Sequence, residues 1–186
     1  EPGTWNYTHH WAHKHGWMFG IPLQHRQGWG YMYNDTITSK EDALEDMSSI
    51  LKVPKEEMMT REYVFKPYYT VNGLVDGRIL RNGNRYLFFE PMEALSMEYY
   101  TRLNTQYIKL INSETTRQEI VLGSQHEVNG LIAFYRYVYQ GGSNYDTDFW
   151  RIQSKKCKEH LLADRQFLRM LEVYNDNAHR PDIGIL

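Results

Sequence analysis

The stretch that most constrains this chain is Gly16-Trp17-Met18-Phe19-Gly20-Ile21-Pro22-Leu23. It sets Trp17, Phe19 and Ile21 two residues apart, just ahead of a proline. Side chains alternate across an extended strand, so these three share one face. Pro22 cannot donate a ladder hydrogen bond and suits the end of such a strand. A buried aromatic rib of this kind makes a wall, and the rest of the chain must say what it screens.

The 186 residues are enough for a single domain, 1–186, with a sizeable core. A net charge of -2, with no long run of one sign, argues against nucleic acid or an anionic membrane as main partner. Aromatic content is 15%, including 15 Tyr and 5 Trp, which suits a packed, aromatic-lined interior. Cys157 is the sole cysteine, so no internal disulfide can form, and a reduced, cytoplasmic setting is expected. No apolar run approaches the ~20 residues needed to span a bilayer, and no signal peptide is expected. The chain opens on Glu1 rather than Met, which suggests the downstream part of a longer protein.

Residues 4–12 read as a first strand, 16–22 as a second and Gly30–Tyr33 as a third, with Gln27-Gly28-Trp29-Gly30 as turn residues. Together they predict an antiparallel meander. Thr38 or Ser39 caps a helix whose apolar side holds Ala43, Leu44, Met47, Ile50 and Leu51, and Val53-Pro54 ends it. Strands are expected at Arg61–Phe65, near Leu74–Leu80 and at Arg85–Phe89, with Asn82-Gly83 as a hairpin turn. From about Met92 the chain turns helical, with Leu95, Tyr99, Leu103, Tyr107, Leu110 and Ile111 three or four apart. A second helix runs from Thr116 to Tyr139, with Ile120, Val128, Leu131, Ile132, Tyr135 and Val138 facing inward, and Gly141-Gly142 stops it. A third, broken helical region spans Asp146 to Tyr174 with Leu161, Leu168 and Leu171 inside, and 175–186 reads as a tail. The class is α+β: residues 1–90 are mostly strands with one helix, and 91–175 are mostly helices. No GxGxxG and no strand–helix alternation support a complete nucleotide-binding domain.

Several clusters carry possible chemistry. His9, His10, His13 and His15 invite a metal reading, with His9, His13 and His15 on one strand face. No acid or cysteine sits nearby to complete a shell, so a structural or surface cluster is favoured and no metal is assigned. Glu90-Pro91-Met92-Glu93-Ala94-Leu95-Ser96 joins the last strand to the long helix. Spacing alone makes this an ordinary helix start, with Glu93 favoured by the dipole. The same amides can hold an anion, and Glu93 beside them can accept or deliver a proton. Asp146–Arg151 carries Phe149 and Trp150, either core aromatics at a helix start or a platform for an aromatic ligand. Lys155, Lys156 and Lys158 flank Cys157, but a solvated basic face accounts for them.

Taken together, these stretches resemble the flavin-dependent halogenases typified by the tryptophan halogenases. Gly16–Leu23 resembles the family's Trp-x-Trp-x-Ile-Pro signature, with Phe19 for the second Trp; Arg26 and Gly30–Tyr33 follow as in the family. Glu90–Ser96 resembles its Glu-Pro-Leu-Glu-Ser/Ala-Thr-Gly turn, with Met92 for Leu. Ile132–Trp150 resembles its late helix, glycine-containing loop and Phe-Trp step. The resemblance implies part of a flavin-monooxygenase-like fold and an oxidoreductase that uses reduced FAD and O2 to oxidise a halide to hypohalous acid. That acid reaches an organic substrate, guided by a Lys and a Glu. Glu93 matches the catalytic Glu, and Leu95 and Ser96 match the halide-binding amides. Trp17, Phe19, Ile21 and Pro22 match the wall between substrate and flavin, and Phe149 and Trp150 match the region that holds the substrate ring. The family's Gly-rich FAD motif and catalytic Lys lie upstream, so this chain is expected to bind no FAD and to have no turnover alone. Asn84–Phe89 replaces a Gly/Ala-rich flavin-contacting run with shorter, bulky sequence, which leaves flavin contact at this edge open.

The expectation is therefore the middle-to-C-terminal part of a halogenase, working on an aromatic or other electron-rich substrate with a halide and a flavin reductase as partners. The rivals are a related flavin monooxygenase, in which Trp17–Pro22 is plain core, and a non-catalytic module binding an aromatic ligand or a protein. A histidine-based metal module is more distant.

Overall fold

A computed structural model describes residues 5–169 and residue 172, and of Glu93 its backbone alone. The expectations for Leu171 and for residues 175–186 lie outside the described residues.

Strands β1 (His9–His13), β2 (Gly16–Pro22) and β3 (Gln27–Tyr33) form an antiparallel meander in the order β1-β2-β3. β1 begins at His9, because Trp5–Thr8 pair with nothing in the sheet. Gln27–Gly30 are strand and not turn; the chain reverses at Leu23–Arg26, where Leu23 N–H donates to the Arg26 carbonyl at 2.8 Å. The glycines of this segment serve cross-strand packing instead. Phe19 faces Gly30 and Gly20 faces Trp29, so each ring lies over a residue with no side chain. A Cβ on Gly30 would come within 2.2 Å of the Phe19 ring, and one on Gly20 within 2.3 Å of the Trp29 ring.

Helix α1 (Lys40–Leu51) starts as its sequence dictates: Ser39 Oγ accepts the Asp42 N–H at 3.0 Å, and Glu41 and Asp42 occupy the positive first turn. It docks on the sheet through a buried polar tie. Tyr31 on β3 donates its hydroxyl to Asp46 at 2.6 Å and accepts the His15 amide at 3.1 Å.

Residues 61–65 form no strand, although their composition favours one. Pairing is confined to β4 (Tyr68–Tyr69) with β7 (Leu87–Phe88), and β5 (Val75–Asp76) with β6 (Ile79–Leu80). The hairpin turn is Gly77-Arg78, with Gly77 at φ 59°, and not Asn82-Gly83. Asn82 instead opens a 3-10 turn, Gly83–Arg85: its side chain accepts the Gly83 N–H and donates to the Tyr100 carbonyl at 2.8 Å. A side chain engaged on a neighbouring helix cannot also sit at a hairpin tip.

Three helices complete the fold: α2 (Leu95–Ile111), α3 (Arg117–Gly141) and α4 (Asp148–Leu162). A reciprocal capping box between Thr116 and Glu119 opens α3. Gly142, at φ 67°, closes it. The third helical region breaks after Leu162 and resumes at 165–169, where Asp164 caps the Gln166 and Phe167 amides. The core gathers Leu103 and Tyr107 of α2, Ile120, Val128, Leu131 and Tyr135 of α3, the 71–92 segment, and Trp17 of β2. Val138 is off this inner face and 37% exposed. The architecture is thus the expected α+β arrangement, sheet first and helices last.

Candidate functional site

A groove of about 1950 Å3 runs between β2–β3, α1 and the Glu90–Met97 turn. Its walls include Phe19 and Ile21 from β2, Pro91 and Ser96 from the turn, and Phe149 from α4. Three sequence-distant stretches singled out above therefore meet in one place.

The β2 rib is graded, not uniformly buried. Trp17 is 3% exposed and belongs to the core, Phe19 is half-buried, and Ile21 at the strand end is 38% exposed. Hence Phe19 and Ile21 face the groove, Trp17 anchors the strand behind them, and Pro22 is half-buried at its end.

Trp17 carries an indole N–H that must find an acceptor once buried. It donates to Glu90 Oε2 at 3.0 Å and to the Tyr139 hydroxyl at 2.9 Å. Tyr139 in turn donates to the same Glu90 oxygen. Tyr135, one turn earlier on α3, donates to the Glu90 backbone carbonyl at 2.5 Å. Burial pushes the Glu90 carboxyl above the ordinary carboxylate range, while the Tyr139 and Trp17 donors pull it back. Burial also raises the Tyr139 phenol well above its usual range, reinforced by the Glu90 charge. Sequence reasoning missed this network. Its signal was an acid held between Phe89 and Pro91, opposite tyrosines spaced i, i+4 on an apolar helix face.

After Pro91 the backbone makes a 3-10 turn, Met92–Ala94, and passes into α2. Ala94 sits at φ 50°, a left-handed conformation that costs a non-glycine residue about 1–2 kcal/mol. No side chain caps the α2 N-terminus. The Leu95 N–H donates to the Met92 carbonyl, and Ser96 lines the groove. The Glu93 side chain lies outside the described residues, so its direction is not part of this geometry.

Phe149 and Trp150 meet edge to face at 5.1 Å, and both are buried. Phe149 reaches the groove, whereas Trp150 packs on Tyr139 and donates its indole N–H to the His13 carbonyl at 2.6 Å. The four histidines do not converge. His9 lies among the rings of Trp5, Tyr7 and Trp11, His10 faces Trp17, and His15 falls in the turn after β1. His15 therefore does not share a strand face with His9 and His13. Among the described residues no group of three His, Cys, Asp or Glu is placed to hold a metal. Burial raises the Cys157 thiol, against the pull of Arg136 and Lys156. None of the described helices is long and apolar enough to cross a membrane.

The FAD implied by the sequence fits this chain only in part. Tyr86 and Leu87 point fully into the core, and Phe89 stacks on Tyr135 at 5.7 Å. Phe88, Phe89 and Pro91 line the groove. The described residues supply no glycine-rich turn leading into a helix, the arrangement that holds a diphosphate.

Comparison with known proteins follows the same direction. The family model described as tryptophan halogenase matches residues 1–179. Tryptophan 7-halogenase KtzQ from a Kutzneria species is 26% identical over 172 residues, covering 90% of this chain and 31% of that protein. Tryptophan 7-halogenase RebH from Lentzea aerocolonigenes is 23% identical over 157 residues, covering 82% of this chain and 29% of that protein. The crystal structure of a tryptophan halogenase from Shewanella frigidimarina superposes with a TM-score of 0.74 at 22% identity, over 89% of this chain and 32% of that one. The chain thus spans about a third of the length of the curated relatives it matches.

Proposed function

The chain belongs to the tryptophan halogenase family, and from that premise we propose that it forms the halide and substrate side of a flavin-dependent halogenase. The reading rests on one observation: Phe19 and Ile21, Ser96, and Phe149 come from three separate stretches and line one groove. Reduced FAD and O2, held by protein outside this chain and replenished by a flavin reductase, would supply the oxidation of halide to hypohalous acid. A reduced, cytoplasmic setting suits that chemistry.

The residues of this chain then divide the remaining work. The halide rests at the opening of α2, where backbone N–H groups and the helix dipole favour an anion. Ser96 presents its amide there, and Leu95 joins by exchanging its bond to the Met92 carbonyl for the anion. Phe19, Ile21 and Pro22, with the buried Trp17 holding their strand from behind, keep the organic substrate apart from the flavin, so that a small oxidant must cross between them. Phe149 backs the substrate ring, with Trp150 fixing Phe149 from behind. Glu93 hydrogen-bonds the hypohalous acid. The substrate carbon gains the halogen and loses a proton, and the hydroxyl leaves as water. An aromatic or other electron-rich carbon is the substrate class this substitution requires.

The test uses the whole protein with FAD, a flavin reductase, NADH, bromide and a panel of electron-rich aromatics. The expected result is brominated product that falls by about 10²-fold in Glu93→Gln, while NADH oxidation continues. Oxygenated product that ignores bromide would move the assignment to a flavin monooxygenase. Aromatic binding without turnover would move it to a non-catalytic module.

A further inference from the structure

Glu90 is a partly buried carboxylate with no part in the chemistry outlined above. Such a group is costly: an apolar residue of similar shape would avoid the desolvation. What Glu90 does instead is join three elements. Its Oε2 accepts from Trp17 of β2 and from Tyr139 of α3, and its carbonyl accepts from Tyr135. Partners 73, 49 and 45 residues away thus converge on one residue. Tyr139 also packs on Phe149 and Trp150, with ring centroids at 6.3 and 6.0 Å. Immediately after Glu90 comes Pro91, with its fixed φ, then the Met92–Ala94 turn and the strained Ala94. A strained turn holds its shape only where its surroundings over-determine it.

We propose that Glu90 is a positioning residue. Through the Trp17–Glu90–Tyr139 triangle and the Tyr135 bond, it sets the Met92–Ser96 turn against the β2 wall and the Phe149 side of the groove. The idea rests on the halogenase reading for its catalytic consequence, and on the hydrogen bonds for its structural one. The Trp17 and Tyr139 donors need an oxygen acceptor, not a charge, so a glutamine can stand in for the acid and an alanine cannot.

Two readouts on the whole protein separate these layers. The first is hydrogen exchange at the Leu95 amide, which the Met92 carbonyl protects and which needs no turnover. Exchange should rise at least about 10-fold in Glu90→Ala and stay near wild type in Glu90→Gln. The second is kinetics per folded molecule, with folding followed by near-UV circular dichroism. Glu90→Ala should lower kcat by up to about 10²-fold and raise the halide KM, leave the organic-substrate KM within about 3-fold, and be rescued by Glu90→Gln. Should Glu90→Ala fail to fold, Tyr139→Phe, which keeps the ring and removes one donor, should shift both readouts in the same direction by about 10-fold. Unchanged exchange at Leu95 in Glu90→Ala, or in Tyr139→Phe where that variant replaces it, overturns the proposal. A wild type that exchanges as expected but halogenates nothing overturns the function and leaves the positioning intact.

Discussion

The hydrogen at Gly30 Cα is what lets the Phe19 ring lie across β3. Gly30→Ala would place a methyl 2.2 Å from that ring, so Phe19 must swing away. Overpacking of this kind costs about 1–3 kcal/mol, readable by urea unfolding. On the proposed function it should also raise the organic-substrate KM of the whole protein, because Phe19 would move in the groove. Glu90 yields a pH prediction. Its native carboxyl is held above the ordinary 4.5, mainly by burial, so on acidification the native state takes up this proton before the unfolded chain does. Glu90 therefore adds stability as pH falls through the native pKa, and the gain is complete below 4.5. The unfolding free energy of wild type relative to Glu90→Gln should rise from neutral pH toward 4.5; a constant difference would contradict this. His13 acts in the opposite sense. Burial lowers its pKa below 6.5, so its contribution removes stability as pH drops through 6.5, and a His13→Asn variant should lack that loss. At this scale the sequence assigned Trp17, Phe19 and Ile21 to one strand face but left open how deeply each lies. Period 2 assigns a face, and only the neighbouring helices decide how deep each residue on it lies.

Helix α3 is the element on which the site depends, since it carries both tyrosines that grip Glu90. Its start is set by the Thr116–Glu119 capping box. Thr116→Ala should cost about 1 kcal/mol in thermal or chemical unfolding, with the larger effect on hydrogen exchange in the first turn of α3. The α1–β3 tie should be stiffer. Asp46→Ala leaves the Tyr31 hydroxyl without its acceptor and should cost about 1–3 kcal/mol, while a double variant with Tyr31→Phe should cost less than the sum. Elements with local signals were legible. Ser39 caps α1, Gly142 stops α3, and β2 runs over its expected residues. Errors fell where one residue type serves two purposes. Gly28 and Gly30 read as turn residues but lie in β3, where Gly30 makes room for the Phe19 ring, and Asn82 read as a hairpin tip but holds α2. The aromatic and β-branched run at 61–65 favoured a strand, yet β-propensity counts only where a partner strand is available.

At the scale of the molecule, the groove is assembled from β2, the Glu90–Ser96 turn and α4, and no local pattern specifies such a meeting. At the level of sequence, only the resemblance relates these three stretches to one another. The Trp17–Glu90–Tyr139 triangle lay beyond that reach: its members stand up to 122 residues apart, Glu90 and Tyr139 carried no assigned role, and Trp17 was assigned to a wall and not to a hydrogen bond. On the proposed function, this chain shapes the halide and substrate side of a halogenase. Mass spectrometry of the product made by the whole protein from an electron-rich aromatic, with FAD, reductase and bromide, tests it most directly. The expected result is a singly brominated product, visible as the bromine isotope doublet and reduced about 10²-fold in Glu93→Gln. A product that carries oxygen in place of bromine, at the same rate with or without bromide, would contradict it.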